Sequence, residues 1–171
     1  AEGGRGPSAF MRTGLDLYAN IRPAKTRSGV PSAVENMDLV FARENTEGFY
    51  ADRSMYLGNG EMMLTEDVAI SVRKITREAS RKIAEAAFKL AVQRRHKVTI
   101  VTKRNVLKMT DGLFHDTVRA VAQDYPEVEV DDVIIDAMSA LMVRTPDAFD
   151  VICTSNMYGD ILSDLGNELA G

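Results

Sequence analysis

The stretch Ser155-Asn156-Met157-Tyr158-Gly159-Asp160-Ile161-Leu162-Ser163-Asp164 follows a short apolar run, Val151-Ile152-Cys153-Thr154. The run has the length of a buried strand, and Ser155 and Asn156 then offer N-caps to a helix. On that helix Asp160 and Asp164 fall one turn apart on one face. Carboxylates at this spacing repel and weaken a helix unless positive charge lies between them. A hard cation that takes oxygen ligands, Mg²⁺ or Mn²⁺, would supply that charge. The plainer alternative is that acidic residues gather in early helical turns to meet the helix dipole.

Three further polar groups follow apolar strand candidates. Asp38-Leu39-Val40-Phe41-Ala42 delivers Arg43, Lys97-Val98-Thr99-Ile100-Val101-Thr102 delivers Lys103 and Asn105, and the segment Val128 to Ile135 delivers Asp136. Ligands collect at the carboxyl ends of strands in open α/β sheets. Four strand ends bearing polar, chemistry-capable groups favour one active site over unrelated surface charges.

The elements that position these groups alternate between short apolar runs and amphipathic helices, which makes α/β the natural class. Residues Ala1 to Pro7 hold three glycines and a proline and read as a loop. A helical pattern starts at Ser8 and takes in Phe10, Leu15 and Leu17. Extended chain follows from Tyr18 to Pro23. Asn59-Gly60, among the apolar residues from Met55 to Met63, signals a hairpin centred on Gly58-Asn59-Gly60. Val72, Ile75, Ala79, Ile83, Ala86, Ala87 and Leu90 recur at three- and four-residue steps and predict a long helix from Ile70 to Arg94. Thr110 or Asp111 can cap the next helix, which Pro126 stops. A short helix over Ala137 to Val143 and a turn near Pro146 complete the chain before Val151. No internal repeat or low-complexity segment is present.

Composition bounds the remaining choices. The 171 residues are 45% hydrophobic and 27% charged, an ordinary globular balance sufficient for one domain core. No apolar run approaches the ~20 residues needed to cross a bilayer, and no signal-peptide pattern opens the chain, so a soluble, intracellular protein is expected. The net charge of −4, with dispersed Lys and Arg, excludes a basic footprint for nucleic acid. The single cysteine, Cys153, lies within an apolar strand candidate and reads as a buried, inert thiol. His96 and His115 read as solvated helix-end or helix-face residues.

The phrase Asn156-x-x-Gly159-Asp160-Ile161-Leu162-Ser163-Asp164, arriving off an apolar strand, resembles the signature of the β-decarboxylating dehydrogenases of the isocitrate and isopropylmalate type. The resemblance extends over nearly the whole chain. Leu15-Asp16-Leu17-Tyr18-Ala19-Asn20-Ile21-Arg22-Pro23-Ala24-Lys25 looks like the family's substrate-arginine region, and Arg43-Glu44-Asn45-Thr46-Glu47-Gly48-Phe49-Tyr50 like its catalytic-tyrosine region. Lys103-Arg104-Asn105-Val106-Leu107 is similar to the catalytic-lysine segment, and Ile135-Asp136-Ala137-Met138 to the segment with the third metal carboxylate.

The resemblance implies an isopropylmalate-dehydrogenase-like fold, here mostly its second, dimerisation domain with a projecting β-hairpin arm. Residues 1–17 would be a remnant of the large cofactor domain, and residues 18–171 the small α/β domain. It implies metal-dependent oxidative decarboxylation of a 2-hydroxy di- or tricarboxylic acid with NAD, NADP not being excluded. Arg12, Arg22 and Arg43 would hold substrate carboxylates, since a planar guanidinium fork suits paired oxygens. Asp136, Asp160 and Asp164 would hold Mg²⁺ or Mn²⁺ as a Lewis acid on the substrate's oxygens. Lys103 would assist proton removal from the hydroxyl and Tyr50 would return a proton to carbon, with Asn105 and Asn156 near the cofactor. In a homodimer with shared active sites, Lys103 and Asp136 would serve the partner's site. The cytoplasm is the implied location, or the mitochondrial matrix in a eukaryote.

Members of the family run to roughly twice this length, a common size for two domains, and begin with a strand and Gly-Asp-Gly-Ile-Gly loop absent here. A fragment, inactive by itself, is therefore expected. Gly6, Ser8 and Ala9 match neither the serine and asparagine of isocitrate enzymes nor the leucine pair of isopropylmalate enzymes. Isocitrate, isopropylmalate, homoisocitrate, tartrate and malate all remain candidates. Two other classes stand beside this reading: a non-catalytic dimerisation module, which would have no use for the arginines, Tyr50 and Lys103, and a Mg²⁺-dependent hydrolase using the aspartates alone.

Overall fold

The computed structural model describes residues 7–50, 55–56 and 60–171. Helix α1 spans Pro7–Gly14, so Leu15 and Leu17 lie beyond it, and strand β1 runs Ala19–Lys25. Strand β2 covers Asp38–Glu44, β3 Glu61–Thr65 and β4 Val68–Ser71, followed by helix α2, Arg77–Val92. Then come β5 (Lys97–Thr102), α3 (Thr110–Ala122), β6 (Glu129–Ile134), α4 (Ile135–Arg144), a 3-10 turn at Pro146–Ala148, β7 (Val151–Thr154) and α5 (Asn156–Ala170).

Five strands form one sheet in the order β1-β2-β7-β5-β6. β2, β7, β5 and β6 are mutually parallel and β1 is antiparallel to β2. The central strands are buried on both faces, as helix-covered parallel strands must be. Ala42, Val98, Ile100, Val151 and Cys153 pack with α2 and α3 on one side. Leu39, Phe41, Val101 and Ile152 pack with α4 and α5 on the other. Strand β1 runs through Pro23 because an edge strand tolerates a missing N–H. Among the described residues, no helix is long and apolar enough to cross a membrane.

Burial of Cys153 is complete, and it pushes the thiol up to about 12. At pH 8 the native protein is expected to leave Cys153 unlabelled by iodoacetamide, with full labelling after denaturation in urea. Rapid labelling of the native state, read by mass spectrometry, would show that β7 opens or is not central.

Several elements differ from the sequence expectation. The helix expected from Ile70 begins only at Arg77, because the preceding backbone is held by other partners. Val72 N–H donates to the Gly60 carbonyl, Lys74 pairs with Gly48, and Thr76 caps α2 by accepting from Ala79 N–H at 3.2 Å. Glu47 fixes that start, accepting from Thr76 N–H (2.7 Å) and Thr76 Oγ1 (2.8 Å). The observed hairpin, β3 with β4, turns at Glu66-Asp67, where Thr65 Oγ1 accepts from Asp67 N–H. Gly60 lies just before β3, and Leu57 to Asn59 fall outside the described residues. Every residue of both hairpin strands is exposed.

Neither Thr110 nor Asp111 caps α3; Met109 occupies the cap position without a side-chain bond. Strand β6 ends at Ile134, and Asp136 sits in the first turn of α4. His115 is buried rather than solvated, since its Nε2 lies 2.7 Å from Asp132 Oδ1 across the α3–β6 packing.

Candidate active site at the carboxyl edge of the sheet

Because the four parallel strands share a direction, Arg43, Lys103, Asp136 and the start of α5 all lie along one edge of the sheet. Strand order then divides them. β2 and β7 are neighbours, so Arg43 meets Asn156 and Asp160; β5 and β6 are neighbours, so Lys103 meets Asp136.

The first group is built around Asp160. Arg43 is 1% exposed, and its Nη1 donates to Asp160 Oδ1. Its Nε (2.9 Å) and Nη2 (2.6 Å) both donate to Asn156 Oδ1, while Asn156 Nδ2 donates to the Glu47 carbonyl. Tyr50 OH donates to Asp160 Oδ2 at 3.2 Å. Arg22, reaching from edge strand β1, donates through Nη1 to Asp160 Oδ1 (3.1 Å), Ser163 Oγ (2.8 Å) and Asp164 Oδ1 (3.2 Å). The positive charge needed between Asp160 and Asp164 is therefore Arg22.

Burial pulls the Arg43 guanidinium below its ordinary value. Asp160 opposes that pull, whereas the like charges of Arg22 and Arg12 add to it. Arg12, on α1, thus belongs to the same electrostatic neighbourhood. Three cations against two carboxylates leave an excess that suits a ligand carrying several carboxylates.

Asn156, a helix cap by its place after the strand and a cofactor contact by resemblance, is fully buried within α5 and committed to Arg43 and Glu47. Ser155 is the cap residue, without a side-chain cap bond; its hydroxyl accepts from Arg73 instead. Asn105 is exposed in the loop after β5.

In the second group Lys103 Nζ donates to Asp136, and this bond holds the Asp136 carboxyl below the usual carboxylate range. Among the described residues no three His, Cys, Asp or Glu side chains converge as a metal shell. Asp160 and Asp164 nevertheless direct oxygens at one cationic nitrogen, a donor set that fits part of the oxygen shell of one hard cation.

Sequence reasoning missed Arg73, Asp111, Asn45 and Ser163. Arg73 looks like a surface residue of the expected helix, and Asp111 like a cap. Asn45 donates to the Leu17 carbonyl at 2.7 Å and accepts from Asn20, tying the start of β1 to the end of β2. Ser163 could have been found, because it shares the helix face of Asp160.

A mostly parallel sheet with arginines and carboxylates paired at its carboxyl edge defines an α/β protein with a candidate site at that edge. A family model described as isocitrate/isopropylmalate dehydrogenase matches residues 4–171, and the chain belongs to that family of oxidoreductases. It is 46% identical to the isocitrate/homoisocitrate dehydrogenase of Thermus thermophilus over 168 residues, 97% of this chain and 47% of that protein. It is also 46% identical to the 3-isopropylmalate dehydrogenase of Archaeoglobus fulgidus, over 94% of this chain and 47% of that one. The crystal structure of isocitrate dehydrogenase from Methylococcus capsulatus matches all of this chain and 50% of its own, with TM-score 0.89 and 43% identity. The fold is thus the mixed α/β fold of isocitrate dehydrogenases. The chain spans about half the length of the curated relatives it matches.

Proposed function

We propose that the chain supplies the substrate and metal half of an enzyme that oxidises and decarboxylates a 2-hydroxy di- or tricarboxylic acid with NAD or NADP. The observation that carries this reading is the convergence of Arg22, Arg43 and Tyr50 on Asp160. Arg12, Arg22 and Arg43 bind substrate carboxylates, and Asp160 and Asp164 hold Mg²⁺ or Mn²⁺ once Arg22 turns to the substrate. Bound there, the cation would supply Lewis acidity to the substrate's oxygens, and a nicotinamide cofactor would supply the hydride acceptor. Lys103 Nζ would assist removal of the hydroxyl proton, and Tyr50 OH would give a proton to the carbon that loses its carboxylate.

Lys103 and Asp136 form a separate group from Asp160 and Asp164, and this division supports a homodimer in which each chain completes its partner's site. The exposed apolar residues of the hairpin, Met63 and Leu64 among them, support an arm laid on that partner. Phe10 on α1 is 68% exposed, which supports assigning residues 1–17 to a large cofactor domain and 18–171 to the small one. By itself the chain would be inactive, and it would work in the cytoplasm or the mitochondrial matrix.

The test is reduction of NAD and NADP by the full-length enzyme, with and without Mg²⁺, on isocitrate, isopropylmalate, homoisocitrate, tartrate and malate. Turnover that requires the metal is expected with at least one of them. Silence across the panel in a folded, dimeric preparation would overturn the reading.

A further inference from the structure

Beside both groups of site residues lies a buried ion pair that neither substrate nor metal chemistry has used so far. Asp111 is 1% exposed and Arg73 Nη1 donates to its Oδ1. Asp111 Oδ2 accepts the backbone N–H of Lys103 at 2.6 Å and the hydroxyl of Tyr158 at 3.2 Å. Burial first, and the Asp111 charge next, push the Tyr158 phenol up to about 12, so it remains a donor. Arg73 Nη1 donates to Thr110 Oγ1 (2.8 Å) and Nη2 to Ser155 Oγ (3.1 Å). Its guanidinium carbon also lies 5.7 Å from the ring centre of Phe49 and 5.2 Å from that of Tyr158.

The contacts fall on three segments that must be in register. The Lys103 amide marks where β5 ends and the lysine side chain is aimed. Ser155 and Tyr158 begin the helix that carries Asp160 and Asp164. Phe49 precedes Tyr50. A charge-assisted pair whose remaining donors and acceptors are also taken holds such geometry more narrowly than neutral hydrogen bonds, and leaving either charge alone in this buried position is costly.

We propose that Arg73 and Asp111 are positioning residues that set Lys103 in register with the Tyr50, Asp160 and Asp164 group. The inference rests on the dehydrogenase reading for its kinetic consequence, but its structural consequence does not. In a dimer with shared sites, one chain's Lys103 and its Asp160 serve different sites, so the pair also ties the geometry of one site to that of the other.

The test compares Asp111→Asn, Asp111→Glu and Arg73→Lys in the full-length enzyme by steady-state kinetics and by reductive methylation of lysines with formaldehyde and cyanoborohydride. A misplacement of ~1 Å can cost about a hundredfold in rate. Asp111→Asn is therefore expected to lower kcat about tenfold to a hundredfold, with KM changed less than about threefold. Asp111→Glu, which keeps the charge pair, should recover most of the loss, and Arg73→Lys should fall between. Lys103 should methylate several-fold faster in Asp111→Asn, measured against Lys89 on α2, whether or not any hydroxy acid is turned over. If Asp111→Asn does not fold, Arg73→Lys carries the same comparison, with smaller changes in the same directions expected. Unchanged kcat together with unchanged Lys103 methylation in a folded variant would overturn the proposal. So would equal kcat losses in Asn and Glu variants with Lys103 unaffected, the mark of a merely structural pair. A wild type that turns over no substrate would overturn the dehydrogenase reading alone.

Discussion

Asp160→Asn is expected to abolish divalent-metal dependence and lower kcat of the full-length enzyme at least about a hundredfold. Removing partners one step outside a metal shell already costs roughly 10–100-fold, and a ligand should cost no less. The fold should survive. The substitution is isosteric, and Asp160 is about one-third exposed. An amide can still accept on its oxygen, but its nitrogen cannot accept from Tyr50 or a guanidinium. The net cost to stability is about 1–3 kcal/mol, because the buried Arg43 loses its carboxylate partner. Calorimetric titration with Mg²⁺ or Mn²⁺ alongside kcat measures the effect. An active variant with unchanged Mg²⁺ affinity would remove Asp160 from the metal site.

Gly159→Ala should cost about 1–3 kcal/mol and raise KM, because a Cβ at this position would meet Arg43 Cγ at 2.6 Å and Cβ at 2.7 Å. The near part of Arg43 belongs to a central strand, and its guanidinium is held by Asn156 and Asp160, so it cannot step aside. Helix α5 would have to lift from β2, carrying Asp160 and Asp164 with it. Gly112 on α3 is the control, since nothing lies within 4 Å of its added Cβ. Gly112→Ala should stabilise by about 0.5 kcal/mol through the unfolded state. Urea midpoints of both variants decide the matter. An unchanged midpoint and KM in Gly159→Ala would mean that the close approach of α5 to β2 is not what holds Arg43.

Short-range chemistry was legible in the residues themselves. Continuous apolar runs marked β2, β5 and β7, because strands buried on both faces admit little else. The three- and four-residue steps of Ile83, Ala87 and Leu90 marked α2, and the phrase from Asn156 to Asp164 marked both the family and the carboxylate pair. Periodicity failed where backbone partners outside the segment decided the conformation. Val72 and Ile75 fit a helix by spacing, yet Gly60 and Gly48 claim the backbone of that stretch, and Glu47 with Thr76 sets where α2 starts. The turn between β3 and β4 rests on Thr65 and Asp67, which carry none of the usual hairpin signals.

What the residues alone determined was the α/β class, the family, and which side chains stand at strand ends, since these follow from local pattern. Only the tertiary structure decided which of them meet. The order β1-β2-β7-β5-β6 puts Arg43 beside Asp160 and Lys103 beside Asp136, and it sends Arg22 from an edge strand to lie between two aspartates of α5. Strand order and long-range ion pairs such as Arg73 with Asp111 depend on how distant segments pack, and no local spacing encodes them.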